Sequence, residues 1–235
     1  MSPPPHRNRI RAALAAAGPI CLGYFPIGLS LGVLAQKAGL APGQLLLMSV
    51  LVFAGGSQFI AVAMLGSGAA APAIITTTFL VNLRHLLMSS ALAVHLPHLR
   101  RRFLALFAYG VTDESFAVNL TRFRDGTWEP RQALLVNQAA NLAWIIATVA
   151  GVHLGQFIPA GAFGIDYALT AMFLCLLVFQ LRSRLFVVTA LLAAVFAVSI
   201  ALLLPGNAYV IIASMLAATA GFFLKQTLRD RKGWQ

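Results

Sequence analysis

The sequence predicts an all-α, polytopic membrane helical bundle, and three features predict it: high apolar content, apolar runs of membrane-spanning length, and sparse charge. Of the 235 residues, 60% are hydrophobic and only 10% are charged, whereas about a quarter of a soluble domain is charged. A helix needs about 20 apolar residues to cross a bilayer, so the length allows about eight hydrophobic segments joined by short loops. Some segments should be kinked or discontinuous, because glycine, proline or polar residues interrupt them.

The apolar segments follow one another at residues 12–35, 44–66, 72–94, 103–121, 132–154, 165–181, 185–204 and 208–224. We expect a single transmembrane domain over residues 12–225, between a disordered basic tail at residues 1–11 and a basic cytoplasmic tail at residues 226–235. Pro19 and Pro26 should kink or unwind the first segment. The apolar stretch behind the first arginines is too short for a secretory signal, so we expect the N-terminus to be retained.

The charge balance is strongly basic, with 17 lysines and arginines against 6 aspartates and glutamates and a net charge of +11. The basic residues form short clusters between the apolar segments, where the positive-inside rule places them to fix topology. This placement argues against a nucleic-acid partner. Cys21 and Cys175 lie inside apolar segments, and the chain shows no disulfide framework, metal motif or cofactor motif, so we expect none of these.

Two topologies fit the charge distribution. With both termini cytoplasmic, eight crossings leave Lys37 and the arginines at residues 100–102 on the far side of the membrane. If the arginines at residues 100–102 are cytoplasmic instead, residues 103–121 cannot cross, and one of the first three segments must be re-entrant as well. We predict the eight-crossing form and keep the re-entrant form as the alternative.

The third segment carries Asn82, Arg84 and His85 within an apolar run. A charged side chain at the bilayer centre costs about 2.5–3.5 kcal/mol on insertion scales, so Arg84 should face protein, water or a counter-charge. Asp113 and Glu114 are the acidic residues deep inside an apolar segment, which makes them the expected counter-charges. Because adjacent helical residues point about 100° apart, only one of the two can face Arg84 squarely.

The second segment contains Gly55 and Gly56 followed by Ser57 and Gln58. Adjacent glycines weaken a helix, and unwound backbone at this depth is tolerated only where it lines a cavity or is buried in protein. We therefore predict Ser57 and Gln58 as substrate-binding residues.

Together the polar residues at mid-membrane depth predict a site for a zwitterion. Arg84 would hold a carboxylate and Asp113 or Glu114 an ammonium group. Asn82, Ser57 and Gln58 would supply hydrogen bonds between them. Neighbouring phenylalanine and leucine side chains would favour an aliphatic cargo.

Other interpretations of these residues stay open. Arg84 and one acid would also suit a buried structural pair that touches no cargo. His85 would suit proton transfer, because imidazole titrates near neutral pH, or a hydrogen bond to a neighbouring helix. Asn137 and Asn141 fit interhelical hydrogen bonding better than ligand binding.

Enzymatic and channel functions lack support. Ser57 and His85 suggest a serine and a base, but the chain has no nucleophile-elbow pattern, no aspartyl pair on two spans and no metalloprotease motif. A lone arginine in a pore would repel cations, and no selectivity-filter sequence is present. We therefore expect neither an enzyme nor a gated channel.

Four pieces of the sequence occur in the order of a known family. They are Phe53-Ala-Gly-Gly-Ser-Gln-Phe59, Asn82-Leu-Arg-His85, Thr112-Asp-Glu-Ser-Phe116 and Gly164-Ile-Asp166. In these pieces the chain resembles the AzlC-type branched-chain amino acid permeases, the LIV-E exporters, over most of residues 18–181. Thr170 departs from the family pattern, which has proline there, and this affects the expected shape of the sixth segment.

The resemblance implies export of valine, leucine, isoleucine or related small amino acids across the bacterial inner membrane, driven by the proton gradient. It also implies a second, small membrane subunit of the AzlD type. The uncharged segments between residues 185 and 224 would suit contact with such a subunit. The alternative is a non-transporting membrane scaffold subunit. The costly charges of Arg84, Asp113 and Glu114 at mid-span favour a transporter, since a scaffold has no need of them.

Overall fold

The computed structural model describes residues 6–126, 128–157, the single positions 167, 174 and 178, and residues 184–203 and 208–232. The chain divides into two compact units, Met1–Leu169 and Thr170–Gln235, and the predicted transmembrane domain at residues 12–225 extends over both. Most of the predicted sixth segment, with Asp166, Thr170 and Cys175, lies outside the described residues.

The described residues are helical, without a strand. The first unit contains α1 (His6–Lys37), α2 (Pro42–Leu51), α3 (Gly55–Gly66), α4 (Ala71–Ala93), α5 (Arg101–Tyr109), α6 (Asp113–Arg124) and α7 (Pro130–Leu154), which a 3-10 turn at Gly155–Phe157 extends. The second unit contains α8 (Arg184–Leu203) and α9 (Ala208–Lys232). Among the described residues 4 helices, α1, α4, α7 and α8, are long and apolar enough to cross a membrane, so the count of about eight segments is not confirmed.

The first helix is longer and more regular than the sequence predicts. α1 begins at His6, inside the predicted disordered tail, and continues through Pro19 and Pro26 to Lys37 without an unwound stretch. Each proline removes one backbone donor, yet the helix resumes beyond it, and the Ser30 hydroxyl adds a hydrogen bond to the Pro26 carbonyl one turn earlier (2.9 Å). Of the two predicted outcomes, kinking or unwinding, the structure therefore excludes unwinding.

The predicted second crossing is a helical hairpin instead. α2 and α3 have 10 and 12 residues, about 15 and 18 Å at 1.5 Å per residue, and neither can cross a core of about 30 Å. α2 starts just after α1 ends, and a methyl group at Gly66, where α3 ends, would lie 3.6 Å from the Ala38 Cβ. The hairpin thus enters and leaves at the same end of α1, and a full crossing over residues 44–66 was wrong.

The predicted fourth crossing is a second hairpin, which enters from the opposite end. α5 and α6 have 9 and 12 residues and are separated by residues 110–112. α5 starts shortly after α4 ends, and Phe123 in the last turn of α6 stacks on His95 just beyond α4, with ring centroids 5.3 Å apart. The crossing over residues 103–121 was wrong, and the two hairpins together match the re-entrant alternative.

α1 and α7 run parallel at the centre of the first unit and pack through glycines. A Cβ on Gly32 would lie 2.3 Å from the Thr148 carbonyl oxygen, and one on Gly151 would lie 2.3 Å from the Leu29 carbonyl oxygen. Small residues at such positions allow helix backbones to approach closely. This pair forms the rigid frame on which both hairpins rest.

Basic residues gather at one end of the first unit, where α1, α5 and α7 begin and α4 and α6 end. Arg9 near the start of α1 forms an ion pair with Glu129, the N-cap of α7. Apart from Arg84, every arginine between residues 9 and 157 belongs to these end segments, whereas Lys37 lies at the opposite end of α1. The hairpin geometry thus moves the arginines at residues 100–102 to the same end as the others.

The second unit, in its described part, consists of α8 and α9 packed together through small residues. A Cβ on Gly221 of α9 would lie 2.8 Å from the Thr189 hydroxyl oxygen of α8, and Ala217 and Ala213, about one and two turns earlier, are buried. Large apolar side chains cover the outer faces, among them Leu191, Val195 and Leu202. α9 continues to Lys232, beyond the predicted end of the domain at residue 225.

Candidate functional site

The ion pair that the sequence predicts is present, and Asp113 is the acid that forms it. The Nη1 of Arg84 on α4 lies 2.6 Å from the Oδ2 of Asp113. Asp113 is the first residue of α6, where the helix dipole favours a carboxylate. The side chains of Arg84 and Asp113 remain 31% and 36% exposed, so the described residues do not enclose the pair completely.

Glu114 points away from Arg84 and binds α1 instead. Its Oε2 accepts a hydrogen bond from the Tyr24 hydroxyl (2.6 Å), which also lies 2.8 Å from the Thr112 hydroxyl. Thr112 is the N-cap of α6, and its side chain accepts from the Ser115 backbone N–H. The divergence of the two adjacent acids confirms that only one of them can face the guanidinium.

Three buried polar atoms of α4 have no hydrogen-bond partner among the described residues: Asn82 Oδ1, Arg84 Nε and His85 Nε2. The Nδ1 of His85 lies 2.8 Å from the Val111 carbonyl oxygen. Because a carbonyl only accepts, Nδ1 must carry the proton, and Nε2 of the neutral ring is then an acceptor. The atoms without a partner are thus two acceptors and one donor, which is the Nε of the paired guanidinium itself. Burying such atoms unpaired costs about 1–3 kcal/mol each.

Side chains of α7 contribute hydrogen bonds to the end of α5. A helix end leaves carbonyl groups without an intrahelical partner, and amides of α7 bind two of the last carbonyls of α5. Asn137 Nδ2 donates to the Phe107 carbonyl (3.1 Å) and Gln138 Nε2 to the Leu106 carbonyl (3.4 Å). This arrangement supports the interpretation of Asn137 as interhelical hydrogen bonding.

The two hairpins meet at mid-bundle. The Tyr109 hydroxyl at the end of α5 donates to the Val50 carbonyl at the end of α2 and accepts from Asn141 Nδ2 (3.2 Å). Phe53 in the break of the first hairpin packs against both Tyr109 and Tyr24, with ring centroids 6.4 and 6.2 Å apart. Movement of either hairpin would therefore disturb the aromatic contacts of the other.

Ser57 and Gln58 lie in a separate, fully buried network. The Ser57 hydroxyl donates to the Ala54 carbonyl (2.9 Å). Gln58 is 0% exposed; its Nε2 donates to the Ser49 hydroxyl (3.2 Å), and its Oε1 accepts from Trp144 Nε1 (2.7 Å). No described hydrogen bond joins either residue to Arg84, Asp113 or Glu114, so the structure does not bring the two groups of predicted site residues together directly.

Sequence reasoning missed Tyr24, which connects these two groups. Its ring packs edge-on against Trp144 with centroids 5.3 Å apart, while its hydroxyl binds Glu114. Tyr24 is only 7% exposed. A tyrosine in the middle of an otherwise uncharged span was the available signal, because a buried phenol requires a hydrogen-bond partner.

Comparison with known proteins places the chain in a family. Residues 19–158 match the family described as AzlC protein, a region that begins within α1 and includes both hairpins, α4 and α7. The chain belongs to the AzlC family. The whole polar site described above, from Tyr24 to Asn141, therefore lies in the part that this AzlC-family member shares with its relatives.

Individual relatives support the same assignment. The chain is 27% identical to the "Branched-chain amino acid transport protein AzlC" of Bacillus subtilis over 90% of this chain and 84% of that protein. It is 34% identical to an uncharacterized membrane protein of Archaeoglobus fulgidus over 74% of this chain and 77% of that protein. It is 28% identical to the "Inner membrane protein YgaZ" of Escherichia coli over 77% of this chain and 78% of that protein. No solved structure matches this AzlC-family chain.

Proposed function

We propose that this AzlC-family chain is a secondary transporter that exports branched-chain amino acids across the bacterial inner membrane. The observation that carries the proposal is the partly exposed Arg84–Asp113 pair, together with buried polar atoms of Asn82 and His85 on the same helix that have no partner among the described residues. The Bacillus subtilis relative is named for branched-chain amino acid transport, which supports this choice of cargo.

Exchange of ion-pair partners gives a mechanism that suits a zwitterion. The substrate carboxylate would replace Asp113 on Arg84, while the ammonium group would take the freed Asp113 carboxylate. Net charge in the site is unchanged, which matters because an uncompensated charge at this depth is costly. The acceptors Asn82 Oδ1 and His85 Nε2 would bind the remaining ammonium protons.

Glu114 is the better proton carrier of the two predicted acids. Its described partner is the neutral Tyr24 hydroxyl, so protonation would leave no bare positive charge. Protonation of Asp113 would leave the Arg84 guanidinium without its counter-charge. Export would therefore couple to the proton gradient through Glu114, and His85 would pair with substrate rather than relay protons.

The proposal also includes the orientation of the first unit in the membrane and a partner subunit. Under the positive-inside rule, the end of the first unit that carries the clustered arginines faces the cytoplasm. A small membrane subunit of the AzlD type would join the complex.

The test is efflux of labelled valine from proteoliposomes with an imposed pH gradient, with the chain alone and together with its small partner. Wild-type protein should export valine, and Arg84→Ala should reduce export to background with protein yield unchanged. Arg84→Lys, which keeps the charge but loses the two-pronged geometry, should retain partial export. Full export by Arg84→Ala would show that transport does not depend on Arg84, and export by the small partner without this chain would favour the scaffold alternative.

A further inference from the structure

A groove at the arginine-rich end of the first unit lies outside the proposed transport site. Its volume is about 690 Å³, and it is lined by His98, Leu99, Arg100, Phe103, Glu129, Pro130 and Arg131. A second cavity of about 360 Å³ shares Glu129 and Arg131 with it and continues along Ile10, Leu134 and Leu135. The two cavities are adjacent through these shared residues, and we call them together the basic groove.

The charge of the basic groove is positive and largely uncompensated. Its acidic residue, Glu129, is already paired with Arg9. Within the described residues, Arg100 and Arg131 have no carboxylate at ion-pair distance. Both arginines are exposed and line the same recess, so they present positive charge to whatever enters it.

The start of α5 adds to this positive potential. Arg100 is the N-cap and forms no side-chain capping bond, and the first turn contains no acidic residue. The partial positive charge of a helix N-terminus normally attracts acidic side chains, but α5 begins with three consecutive arginines. Cations at this end of the helix are unfavourable unless an anion lies nearby.

Apolar side chains line much of the remaining surface, beside the polar His98, Gln132 and Gln138, and this apolar part distinguishes the groove from a site for a soluble anion. Leu99 and Phe103 form one wall and are partly buried. Leu134 and Leu135 extend the apolar surface along α7, in the direction of the bundle interior. A ligand that fills both parts must carry a negative group at one end and a hydrocarbon chain at the other.

We propose that the basic groove binds an anionic phospholipid, with its phosphate between Arg100 and Arg131 and an acyl chain along Phe103, Leu134 and Leu135. Arginine binds phosphate oxygens in a two-pronged manner. Basic pockets between membrane helices are suited to anionic lipid headgroups. His98, held at a φ of 63° in the turn before α5, places a further hydrogen-bonding side chain at the rim.

The site is independent of transport. None of its lining residues belongs to the Arg84–Asp113 pair or to its hydrogen-bond partners. The lipid would fix the ends of α1, α5 and α7 against one another and thereby anchor the second hairpin at its base.

Native mass spectrometry of the full-length protein tests the proposal. Protein in mild detergent is titrated with phosphatidylglycerol or with phosphatidylcholine of the same acyl chains, and bound lipid is counted as mass adducts. Wild-type protein should retain phosphatidylglycerol at least tenfold better than phosphatidylcholine. Arg100→Gln with Arg131→Gln should reduce phosphatidylglycerol retention about 30-fold, at roughly fivefold for each arginine near an anionic lipid.

The matched control is Arg101→Gln with Arg102→Gln, which removes the same amount of charge at the same end of the first unit but changes no residue that lines either cavity. Its lipid retention should stay within about twofold of wild type. An equal loss in this control, or equal retention of both lipids by the wild type, would overturn the proposal. Displacement of lipid by inorganic phosphate, but not by chloride at equal ionic strength, would reassign the groove to a soluble phosphate. The comparison of lipids on wild-type protein stands even where a variant does not fold.

Discussion

The two hairpins of the first unit have the same shape and opposite chemistry. Both break at mid-bundle, and both place the N-terminus of a short helix there. α3 begins with Gly55 and Gly56 and has no acidic residue in its first turn, whereas α6 begins with a Thr112 cap followed by Asp113 and Glu114. In the first hairpin, Gln58 hydrogen-bonds to Ser49 of the same hairpin and to Trp144 of α7. In the second hairpin, the two acids bind Arg84 and Tyr24.

The comparison separates a helix break whose polar side chains are paired from one that lies near unpaired polar atoms. Gln58 is as buried as any polar residue that the structure describes, but both ends of its amide are already bonded. The buried side-chain atoms without a partner in the described part of the chain lie on α4, and we propose that these are the atoms a ligand uses. The following predictions test this division, from the largest expected effect to the smallest.

The largest effect should come from neutralising the ion pair completely. The double variant Arg84→Ala with Asp113→Ala removes both charges, so it should recover much of the thermal stability that Arg84→Ala alone loses by leaving Asp113 unpaired. Valine export should stay at background, at least 100-fold below wild type. Export by the double variant comparable to wild type would mean that the pair is structural. Melting in detergent and proteoliposome efflux measure the two outcomes.

The two acids should differ in pH dependence. Glu114→Gln keeps the hydrogen-bonding geometry to Tyr24 but cannot release a proton, so export should fall about tenfold and lose its dependence on the pH gradient. Valine exchange without a gradient should persist in this variant. Asp113→Asn, the matched control on the next residue, should lose exchange and gradient-driven export alike. Exchange lost equally in both variants would contradict separate roles.

The first hairpin should respond in stability rather than in substrate affinity. Gln58→Leu leaves Trp144 Nε1 without its acceptor and removes one of the hydrogen bonds of the Ser49 hydroxyl, which keeps its bond to Thr148 (3.0 Å). This change should cost about 1–3 kcal/mol and lower the melting temperature. Export per folded molecule should keep the wild-type KM. Gln138→Leu, which removes a longer and more exposed hydrogen bond, is the control and should cost less. A raised KM for valine in Gln58→Leu would return Gln58 to the substrate site.

The smallest effect is expected where the hairpins touch. Tyr109→Phe removes one hydroxyl, which donates to the Val50 carbonyl and accepts from Asn141, while the ring contact with Phe53 stays. The loss should be about 0.5–1.5 kcal/mol, with a change of a few-fold in export rate and none in KM. Asn141→Ala should have a similar effect and should not add to it. Additive losses would show that the two side chains act separately.

Several features of the site were predictable because they follow from the cost of polar groups in an apolar environment. A guanidinium at position 84 demands a counter-charge at that depth, and Asp113 and Glu114 were the candidates. The 100° turn between neighbouring helical residues then required the two acids to diverge. Which acid faces Arg84 depends on the rotation of α6 about its axis, and the spacing of residues in the sequence does not determine that rotation.

The two hairpins could not be predicted from composition. The apolar runs at residues 44–66 and 103–121 have the length and hydropathy of a crossing, and these properties are identical for a straight helix and for one that turns back. The glycines and the acidic pair marked both weak points, but only the positions of Gly66 beside Ala38 and of Phe123 beside His95 show that the chain returns.

The sequence by itself determined that the protein is a helical membrane protein, where its helices weaken, and which charges must find each other, because each of these follows from the free energy of placing a residue in hydrocarbon. Tertiary structure alone decided the direction of each short helix and the assignment of partners: Asp113 to Arg84, Glu114 to Tyr24, and Gln58 to Trp144. The physical reason is that burial cost depends on residue type, whereas a hydrogen bond depends on the position of two atoms that the fold brings together.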